Sequence, residues 1–429
     1  MARSIDMAFA RHIDSWVGLV ACSVLFLFSR IRSRLGGPHQ PDLRSTTPPG
    51  QHEVPRAQRV LAIKLYGLGN ITMLLPAMAA LRQGLPGAEI DFLTLRENRT
   101  LLERAGVVDH AIGISAESYS RLLGSLWRAF RTIRQRHYDL VIDFEQFAKL
   151  SAIVAYLSGA PERIGFNTDG QRRGWLFTTR VVYTDSEHMR EIFMRLLRPL
   201  GIDSCPEAPP LPTRPEEAAR AVAILAEHGV APDHFPLVGV HVGSGPNFYE
   251  VPLKRWPTQS FARLCDALVE RHGARIVFTG KGNGERALIR ETTALMHHPA
   301  IDTCDRLSGG ELLALLRVCH LVVSNDTSVM HLAAALKTPV AALFGPTNPL
   351  QYGPGNDEDL VFYKDLFCSP CLTNYNLKVS YCSDPVCIRT ISVEEALAGI
   401  EKRFLSDDAP LRARVEAGRA GAPRTGESD

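Results

Sequence analysis

Residues 59–81 read RVLAIKLYGLGNITMLLPAMAAL, which is an apolar run, a loop with two glycines, and a second apolar run. The first run has the length of a β-strand, and the second has the length of a helix. A strand that leads through a glycine-containing turn into a helix is the opening of a βαβ unit. The stretch therefore predicts an α/β fold built on a parallel sheet.

The same alternation continues through the first half of the chain. Helical stretches such as SRLLGSLWRAFRTIRQ (120–135) separate further strand candidates. This alternation predicts a sheet with helices on both faces. The predicted strands are 59–65, 89–95, 138–144 and 180–184.

A proline-rich segment, residues 206–215, follows and contains five prolines. Because proline lacks an N–H donor and has a fixed φ, the segment is predicted to be an inter-domain linker. The alternation then restarts with strands that are almost continuously apolar, as strands buried on both faces are. These predicted strands are 236–242, 274–280, 320–326 and 339–345.

The sequence thus predicts two doubly wound, Rossmann-like α/β domains in tandem, at 58–205 and 216–405. Residues 1–57 are predicted to be a hydrophobic segment followed by a tether rich in Pro, Gly, Gln and Ser. Residues 406–429 are poor in apolar side chains and are predicted to be a disordered tail.

Composition limits the function. The chain has 429 residues with 48 Lys and Arg against 46 Asp and Glu, so no overall basic field points to nucleic acid. Five of the nine cysteines are scattered, which does not make a disulfide framework. We therefore expect a reducing compartment and a cytoplasmic protein.

The N-terminal segment WVGLVACSVLFLF (16–28) is thirteen residues long, which is short of the roughly 20 that a membrane span needs. Its arginines, Arg30, Arg32 and Arg34, follow the apolar run instead of preceding it, unlike a secretory signal. An interfacial anchor with these arginines among anionic headgroups is the preferred interpretation. A helix packed on the protein and a true span are the alternatives.

In doubly wound sheets, ligands bind beyond the carboxyl ends of the strands, and the loop KLYGLGN (64–70) lies at such a position. Gly67 and Gly69 match the first two glycines of a dinucleotide fingerprint, but Thr72 stands at the third position. The second predicted strand also ends without an acidic residue. NAD binding is therefore disfavoured, and a tight turn that needs glycine only for its backbone freedom is the plain alternative.

A second loop, HVGSGPNFYEVPLKRWP (241–257), combines small residues with a basic pair. Ser244 and Gly245 let an anion approach backbone N–H groups, and the flexible ammonium of Lys254 suits a phosphate. A solvated Lys-Arg pair is the alternative. A third loop, FTGKGNGERAL (278–288), contains three glycines, the first of them Gly280, and makes Lys281, Asn283 and Glu285 available to a base or ribose. This pattern alone is weakly specific.

The fourth loop, SNDTSVMHLAAAL (324–336), is the most informative. Asp326, Thr327 and Ser328 stand where a strand ends and a helix begins, and free N–H groups at a helix start favour a bound diphosphate. His331 lies one turn further on. A plain helix cap with a core histidine would also explain this pattern.

The motifs KRWP (254–257), NDTSVMHLAAAL (325–336) and LFGPTNP (343–349), together with KLYGLGN, resemble glycosyltransferase family 9, the ADP-heptose:lipopolysaccharide heptosyltransferases. The resemblance extends from about residue 59 to residue 404. It implies a GT-B architecture, with two Rossmann-like domains facing a cleft. The C-terminal domain would bind the nucleotide-sugar donor, and the N-terminal domain would bind the acceptor.

By this resemblance, Ser244, Gly245 and Lys254 would hold the phosphates of the donor. Asp326 would bind sugar hydroxyls, and the backbone of Thr327 and Ser328 would bind the diphosphate. We count Lys254 and Asp326 as catalytic. The other predicted substrate-binding residues are Gly69, Gly280, Glu285 and His331.

Asn70 departs from the family, which has at this position an Asp proposed as the base. A carboxamide cannot accept a proton at neutral pH, so the catalytic role of Asn70 is in question. Asp143 and Glu145, which end a predicted strand in the same domain, are the first candidates to replace that base. Alternatively, the proton leaves late to solvent or to the departing phosphate.

The resemblance predicts an inverting glycosyltransferase that needs no metal or cofactor. It would move a sugar, heptose by resemblance, from an ADP-linked donor to lipopolysaccharide core or another cell-surface glycan. The predicted partners are the donor, a lipid-linked acceptor and the inner membrane surface, with the protein peripherally attached on the cytoplasmic side. A relative that binds these ligands without transfer is the second hypothesis, and a dinucleotide oxidoreductase is the third.

Two further patterns stay open. Cys368, Cys371, Cys382 and Cys387 fit either a structural metal site or reduced thiols with an occasional disulfide. The arginine-rich helix at 120–137 fits either an amphipathic helix with a solvated basic face, the preferred interpretation, or a helix that lies against anionic lipid.

Overall fold

Two parallel six-stranded sheets organise the chain, one in each of two units, Met1–Pro210 and Leu211–Asp429. The structure is a computed structural model, and it describes residues 7–34, 57–231, 236–244, 252–376 and 378–405. The division between the units falls within the proline-rich segment 206–215. Most of the predicted tether, the site residue Gly245 and the predicted tail lie outside the described residues.

The first unit contains one sheet with the strand order β3-β2-β1-β4-β5-β6. Its strands are β1 (Arg59–Ile63), β2 (Glu89–Leu95), β3 (His110–Ile114), β4 (Leu140–Asp143), β5 (Glu162–Asn167) and β6 (Thr179–Val182). Its helices are α1 (Met7–Arg34), α2 (Leu68–Gly84), α3 (Arg99–Ala105), α4 (Tyr119–Arg136), α5 (Lys149–Leu157) and α6 (Met189–Arg195), with 3₁₀ turns at Arg96–Asn98, Arg173–Leu176 and Arg198–Leu200.

The second unit repeats this plan with the order β12-β11-β10-β7-β8-β9. Its strands are β7 (Leu237–His241), β8 (Arg275–Phe278), β9 (Ile301–Asp302), β10 (Leu321–Asn325), β11 (Val340–Leu343) and β12 (Leu360–Phe362). Its helices are α7 (Pro215–Ala226), α8 (Thr258–His272), α9 (Gly282–Leu295), α10 (Gly309–Val318), α11 (Ser328–Ala335), α12 (Pro349–Tyr352), α13 (Val386–Arg389) and α14 (Val393–Ile400), with a 3₁₀ turn at Pro252–Lys254 and a π-helical turn at Glu401–Leu405.

The doubly wound α/β prediction is confirmed in both units, and each predicted strand corresponds to a strand of the structure. Four strands, β3, β5, β9 and β12, were not predicted. β9 and β12 are only two and three residues long, and β3 begins with the exposed His110. β5 contains Arg163, which is buried because its guanidinium donates to backbone carbonyls, including that of Leu176 at 3.0 Å.

Helix α1 packs on the first unit. Cys22 in its middle is fully buried and belongs to a core cluster with Leu61 and Ile63 of β1. The ring of Phe26 lies 5.2 Å from that of Trp175. Within the described residues, no helix combines the length and apolar character needed to cross a bilayer.

Each sheet reverses its direction of strand addition once. In the first unit, β1 and β4 are neighbours at this switch point, and in the second unit β7 and β10 are neighbours. The loops that leave neighbouring strands at a switch point diverge and leave a crevice where ligands bind. KLYGLGN follows β1, and the Lys254 and Asp326 loops follow β7 and β10, so the predicted site loops lie at the two switch points.

Candidate functional site

The carboxyl ends of β7 and β10 bring Lys254 and Asp326 together. The Nζ atom of Lys254 lies 2.6 Å from Oδ2 of Asp326, and the hydroxyl of Thr347 donates to the same oxygen over 2.8 Å. Only 4% of Lys254 and 7% of Asp326 is exposed. The sequence placed both charged residues at this site but did not identify Thr347, although it lies in the quoted LFGPTNP motif.

The pKa of Asp326 reflects two opposing effects. Burial by itself raises the pKa, but the ammonium of Lys254, through its charge and its hydrogen bond, brings it below the usual range of an aspartate. The carboxylate is therefore ionised at neutral pH. Both hydrogen bonds go to Oδ2, so Oδ1 has no partner among the described residues.

Asn325 fixes the position of these two loops. Its side chain accepts from the backbone N–H of Trp256 at 3.0 Å and donates to the carbonyls of Val242 and Gly243 at 3.0 and 2.9 Å. Trp256 is itself buried and donates from its ring to the carbonyl of Ile391. Asn325 thus ties the end of β10 to both ends of the loop that carries Lys254, a role that its sequence position did not reveal.

Helix α11 begins directly after Asp326, with Thr327 as its N-cap residue. The hydroxyl of Thr327 lies 3.0 Å from that of Ser324 and does not cap the helix. Within the described residues, the N–H groups of the first turn, which starts at Ser328, therefore lack a cap from this side chain. They and the helix dipole favour an anion at this end. His331 is buried in the next turn of the same helix.

Glu285 lies beside the small residues that follow β7. It belongs to the first turn of α9, its Oε2 accepts from the N–H of Lys281 at 2.8 Å, and its Oε1 lies 3.4 Å from Nε2 of His241. A Cβ atom on Gly243 would lie only 2.2 Å from Oε1 of Glu285. Glycine at 243 is therefore what lets this carboxylate approach the end of β7.

Two other predicted residues line the same region. A Cβ atom on Gly280 would lie 3.3 Å from Cβ of Glu285, so this glycine also lies next to that side chain. Ser244 is buried and accepts from Nε of Arg255 at 3.1 Å. The second unit thus groups Lys254, Asp326, Thr327 and Ser328, with Glu285 and Gly280 at the neighbouring strand end.

In the first unit, Gly67 precedes α2 with a φ of +84°, a conformation that favours glycine. Gly69 and Asn70 lie in the first turn of α2, and Asn70 folds back toward Gly67, with its Nδ2 atom 2.9 Å from the position of a Cβ there. After β1, the loop therefore forms a tight turn at Gly67, and α2 begins there without a side-chain cap.

Asp143 and Glu145, the candidates to replace the family's base, both form buried ion pairs. Asp143 is fully buried against Arg173, with 2.6 Å between Oδ2 and the guanidinium. Burial raises the pKa of Asp143 to about 6, and Arg173 limits the rise. Glu145 accepts from Lys64 at 2.8 Å and from the N–H groups of Leu65 and Tyr66.

These contacts make both carboxylates structural. Glu145 holds the backbone that enters the KLYGLGN loop, and neither carboxylate can take a proton from an external hydroxyl without losing its partner. The suggestion that one of them replaces the base is therefore not supported by the geometry.

The four clustered cysteines are free thiols, as are the other five. Among the described residues, the one group of three ligating side chains close enough to share a metal ion is Glu89, Asp91 and His110. Arg136 lies 2.5 Å from Glu89 and 3.1 Å from Asp91, so it already supplies positive charge there. The group lies at the amino ends of β2 and β3, at the edge opposite the site loops.

Comparison with known proteins agrees with this arrangement. Residues 126–381 match the sequence profile of glycosyltransferase family 9 (heptosyltransferase). Lipopolysaccharide heptosyltransferase 2 of Salmonella typhimurium is 26% identical over 299 residues, 68% of this chain and 84% of that protein. Lipooligosaccharide heptosyltransferase 2 of Haemophilus ducreyi is 28% identical over 307 residues, with the same coverage of 68% and 84%.

Two solved structures share the fold. A family 9 glycosyltransferase from Veillonella parvula matches with a TM-score of 0.71 at 22% identity, over 82% of this chain and 98% of that one. ADP-heptose lipopolysaccharide heptosyltransferase II of Escherichia coli matches with a TM-score of 0.63 at 21% identity, over 84% and 99%. The fold is therefore the two-domain GT-B architecture. Because the family match spans more than half of the sequence, the chain belongs to glycosyltransferase family 9 and is a glycosyltransferase.

Proposed function

We propose that this glycosyltransferase moves heptose or a related sugar from an ADP-linked donor to lipopolysaccharide core or another lipid-linked surface glycan, with inversion at the anomeric carbon. The observation that carries the proposal is the buried Lys254–Asp326 pair directly before the open start of α11. Similarity to lipopolysaccharide heptosyltransferases supports the choice of sugar and acceptor.

On the donor side, the ammonium of Lys254 and the first N–H groups of α11 would carry the negative charge of the leaving diphosphate. An ammonium has three donor hydrogens, so Lys254 can bind a phosphate oxygen while one N–H stays on Asp326. The free Oδ1 of Asp326 would accept from a sugar hydroxyl. Ser244 and Gly245 would contact the phosphates, and Glu285 with Gly280 would contact the nucleoside.

In the proposed reaction, the oxygen of an acceptor hydroxyl forms a bond to the anomeric carbon from the face opposite the diphosphate. The bond between that carbon and the diphosphate oxygen breaks, and its electron pair leaves with ADP. The hydroxyl proton passes to solvent or to the departing phosphate, since Asn70 cannot accept it and Asp143 and Glu145 are engaged. No metal is needed where Lys254 and the helix start stabilise the leaving group.

One observation favours a second function, a relative that binds donor and acceptor without transferring the sugar. Asn70 stands where the family has an Asp, and the two candidate replacements, Asp143 and Glu145, are held by Arg173 and Lys64. Such a protein would keep the donor site of the second unit intact. Binding assays alone would not separate the two functions.

The test is to incubate the purified full-length protein and a heptose-free acceptor with each of a panel of nucleotide-sugars and to measure sugar transfer. We expect release of ADP and a product of inverted anomeric configuration by NMR, unaffected by a chelator. Lys254→Met should lower the transfer rate by about a hundredfold or more, as loss of one transition-state donor does. Lys364→Met is the matched control, because Lys364 also lies 2.6 Å from a carboxylate, that of Glu395, but these two side chains are 32% and 40% exposed.

Each outcome decides between the hypotheses. ADP binding without transfer from any donor supports the binding-only relative. No binding of any nucleoside diphosphate, or equal loss in the Lys254 and Lys364 variants, contradicts the proposed donor site.

A further inference from the structure

One side of α1 is apolar and exposed to solvent. Six large side chains on it are 59–72% exposed, and their spacing along the helix places them within one broad stripe. They are Trp16, Val17, Val20, Val24, Leu27 and Phe28. The opposite side, with Cys22 and Phe26, packs on the first unit. An exposed apolar patch of this kind marks an interaction surface.

Helix α4 carries a second stripe of this type. Tyr119, Leu123, Trp127 and Phe130 are 37–67% exposed and follow a spacing of four, four and three residues, which places them on one side. Ala129 and Ile133, on another side, are buried against the sheet. The preferred sequence interpretation, a solvated basic face, therefore leaves these apolar side chains without explanation.

The two stripes lie on the same side of the first unit. Cys22 of α1, Ile133 of α4 and Ala155 of α5 belong to one core cluster on one face of the sheet. Arg134, one turn beyond Phe130, donates to the carbonyl of Leu157 at the end of α5, so the C-terminal part of α4 lies next to the end of α5. Helix α1 also packs on α5.

The charges around the stripes are mostly positive, although Glu117, just before α4, forms an ion pair with Arg121. Helix α4 contains five arginines and no acidic residue, and Arg131 lies over the ring of Trp127 at 5.7 Å. In α1, Arg30 lies 5.9 Å over the ring of Phe26. The acidic residue of α1, Asp14, is turned inward, where it accepts from the N–H groups of Lys149 and Leu150.

An apolar surface bordered by arginines is complementary to a layer of anionic lipid headgroups over acyl chains. A second copy of this chain would bring arginines against arginines, which is unfavourable. We propose that α1 and α4 form one docking face that lies flat on an anionic bilayer without crossing it. This inference adds to the proposed function the surface by which the enzyme reaches a lipid-linked acceptor, but lipid binding itself requires no sugar transfer.

The test is sedimentation of the full-length protein with vesicles of phosphatidylethanolamine and phosphatidylglycerol, and with vesicles of phosphatidylcholine alone. The first variant is Val20→Ser with Leu27→Ser on α1, and the second is Leu123→Ser with Trp127→Ser on α4. A third variant, Arg128→Gln with Arg131→Gln, removes charge alone. The control is Val222→Ser with Leu295→Ser, which removes two exposed apolar side chains from the second unit.

We expect the wild type and the control to bind the phosphatidylglycerol vesicles and each of the three variants to bind at least about tenfold less. Added salt should weaken wild-type binding, and phosphatidylcholine vesicles should bind weakly. Stabilisation by ADP should be the same in all variants, which shows that they are folded.

Three results would overturn the proposal. The first is that the wild type does not bind anionic vesicles. The second is that the α4 variants bind like the wild type, which would mean that α1 acts alone. The third is that sedimentation velocity shows a wild-type oligomer that the same substitutions dissociate, which would make the stripes a subunit interface. A variant that loses vesicle binding but is still stabilised by ADP tests only the docking face. A protein that binds vesicles but transfers no sugar contradicts only the proposed function, not the docking face.

Discussion

In the proposed reaction, Asn70 occupies the position that the family resemblance assigns to the general base. It lies in the first turn of α2, only partly buried, with its amide folded toward Gly67. A carboxylate at this position would face the positive end of the helix, so the fold should tolerate one. The side chain at 70 can therefore be changed without a structural penalty that would obscure the kinetics.

We expect Asn70→Asp to raise the transfer rate by about tenfold or more, because a positioned general base contributes about 10²–10⁴-fold. The gain should appear as pH rises through the pKa of the new carboxylate, and kcat against pH measures it. Asn70→Ala removes the amide without adding a base and should show no gain. An Asp variant no faster than the wild type would show that the proton does not leave through position 70.

The Lys254–Asp326 pair should make the free energy of unfolding depend on pH. Since the folded pKa of Asp326 lies below its usual value, the pair stabilises the fold above about pH 4, and this contribution is lost as pH falls through the folded pKa. Lys254→Met leaves a buried carboxylate without its cation, which costs about 3–5 kcal/mol at neutral pH.

Urea unfolding of both proteins between neutral pH and about pH 4 measures the difference in unfolding free energy. The deficit of Lys254→Met should shrink toward the acidic end, because the carboxylate takes up a proton there. Lys364→Met, whose partner Glu395 is exposed, should show a small deficit throughout. A deficit for Lys254→Met that grows on acidification would contradict the assigned ion pair.

At the scale of elements, α1 completes the first unit. The N-cap residue of α5 is Ala148, which has no side chain able to cap, and Asp14 of α1 supplies the acceptor instead. Its two oxygens accept from the N–H groups of Lys149 and Leu150 at 2.9 and 2.8 Å. Removal of α1 would therefore uncap α5 and expose core around Cys22, so point substitutions are the cleaner experiment.

Asp14→Ala should lower the unfolding free energy by about 1–2 kcal/mol, the typical cost of losing an N-cap. Asp14→Asn keeps an acceptor oxygen and should recover much of that loss. Denaturant unfolding measures both. If Asp14→Ala and Asp14→Asn proved equally stable, the contact between α1 and α5 would not be a cap.

At the scale of the whole molecule, each unit has its own sheet and its own hydrophobic core. The residues predicted to bind the donor all belong to the second unit, so a nucleoside diphosphate should stabilise that unit. ADP at about one hundred times its dissociation constant should stabilise it by about 2.7 kcal/mol.

In calorimetry of the full-length protein, ADP should raise the midpoint temperature of one unfolding transition, that of the second unit, and leave the other transition unchanged. Lys254→Met should abolish the shift, whereas Lys364→Met should keep it. A shift confined to the transition that Asp14→Ala lowers would place ADP in the first unit and contradict the assignment of the donor site.

The sequence alone determined the alternation of strands and helices, eight of the strands and the loops that bear the site, because strand and helix periodicity and the end of a strand are local properties. The family resemblance placed Lys254 and Asp326 at one donor site, in loops that follow strands of one parallel sheet. It also identified Asn70 as a departure. The short strands β9 and β12 escaped because two or three residues carry no period.

Only the tertiary structure decided which of these groups have partners. Arg173 engages Asp143 from 30 residues away, Lys64 engages Glu145 across 81, and Asp14 caps α5 across 135. The sequence likewise does not show which of the apolar side chains of α1 and α4 face solvent and which face the core. Side-chain pairing and exposure depend on which distant segments pack together, and local sequence does not encode that.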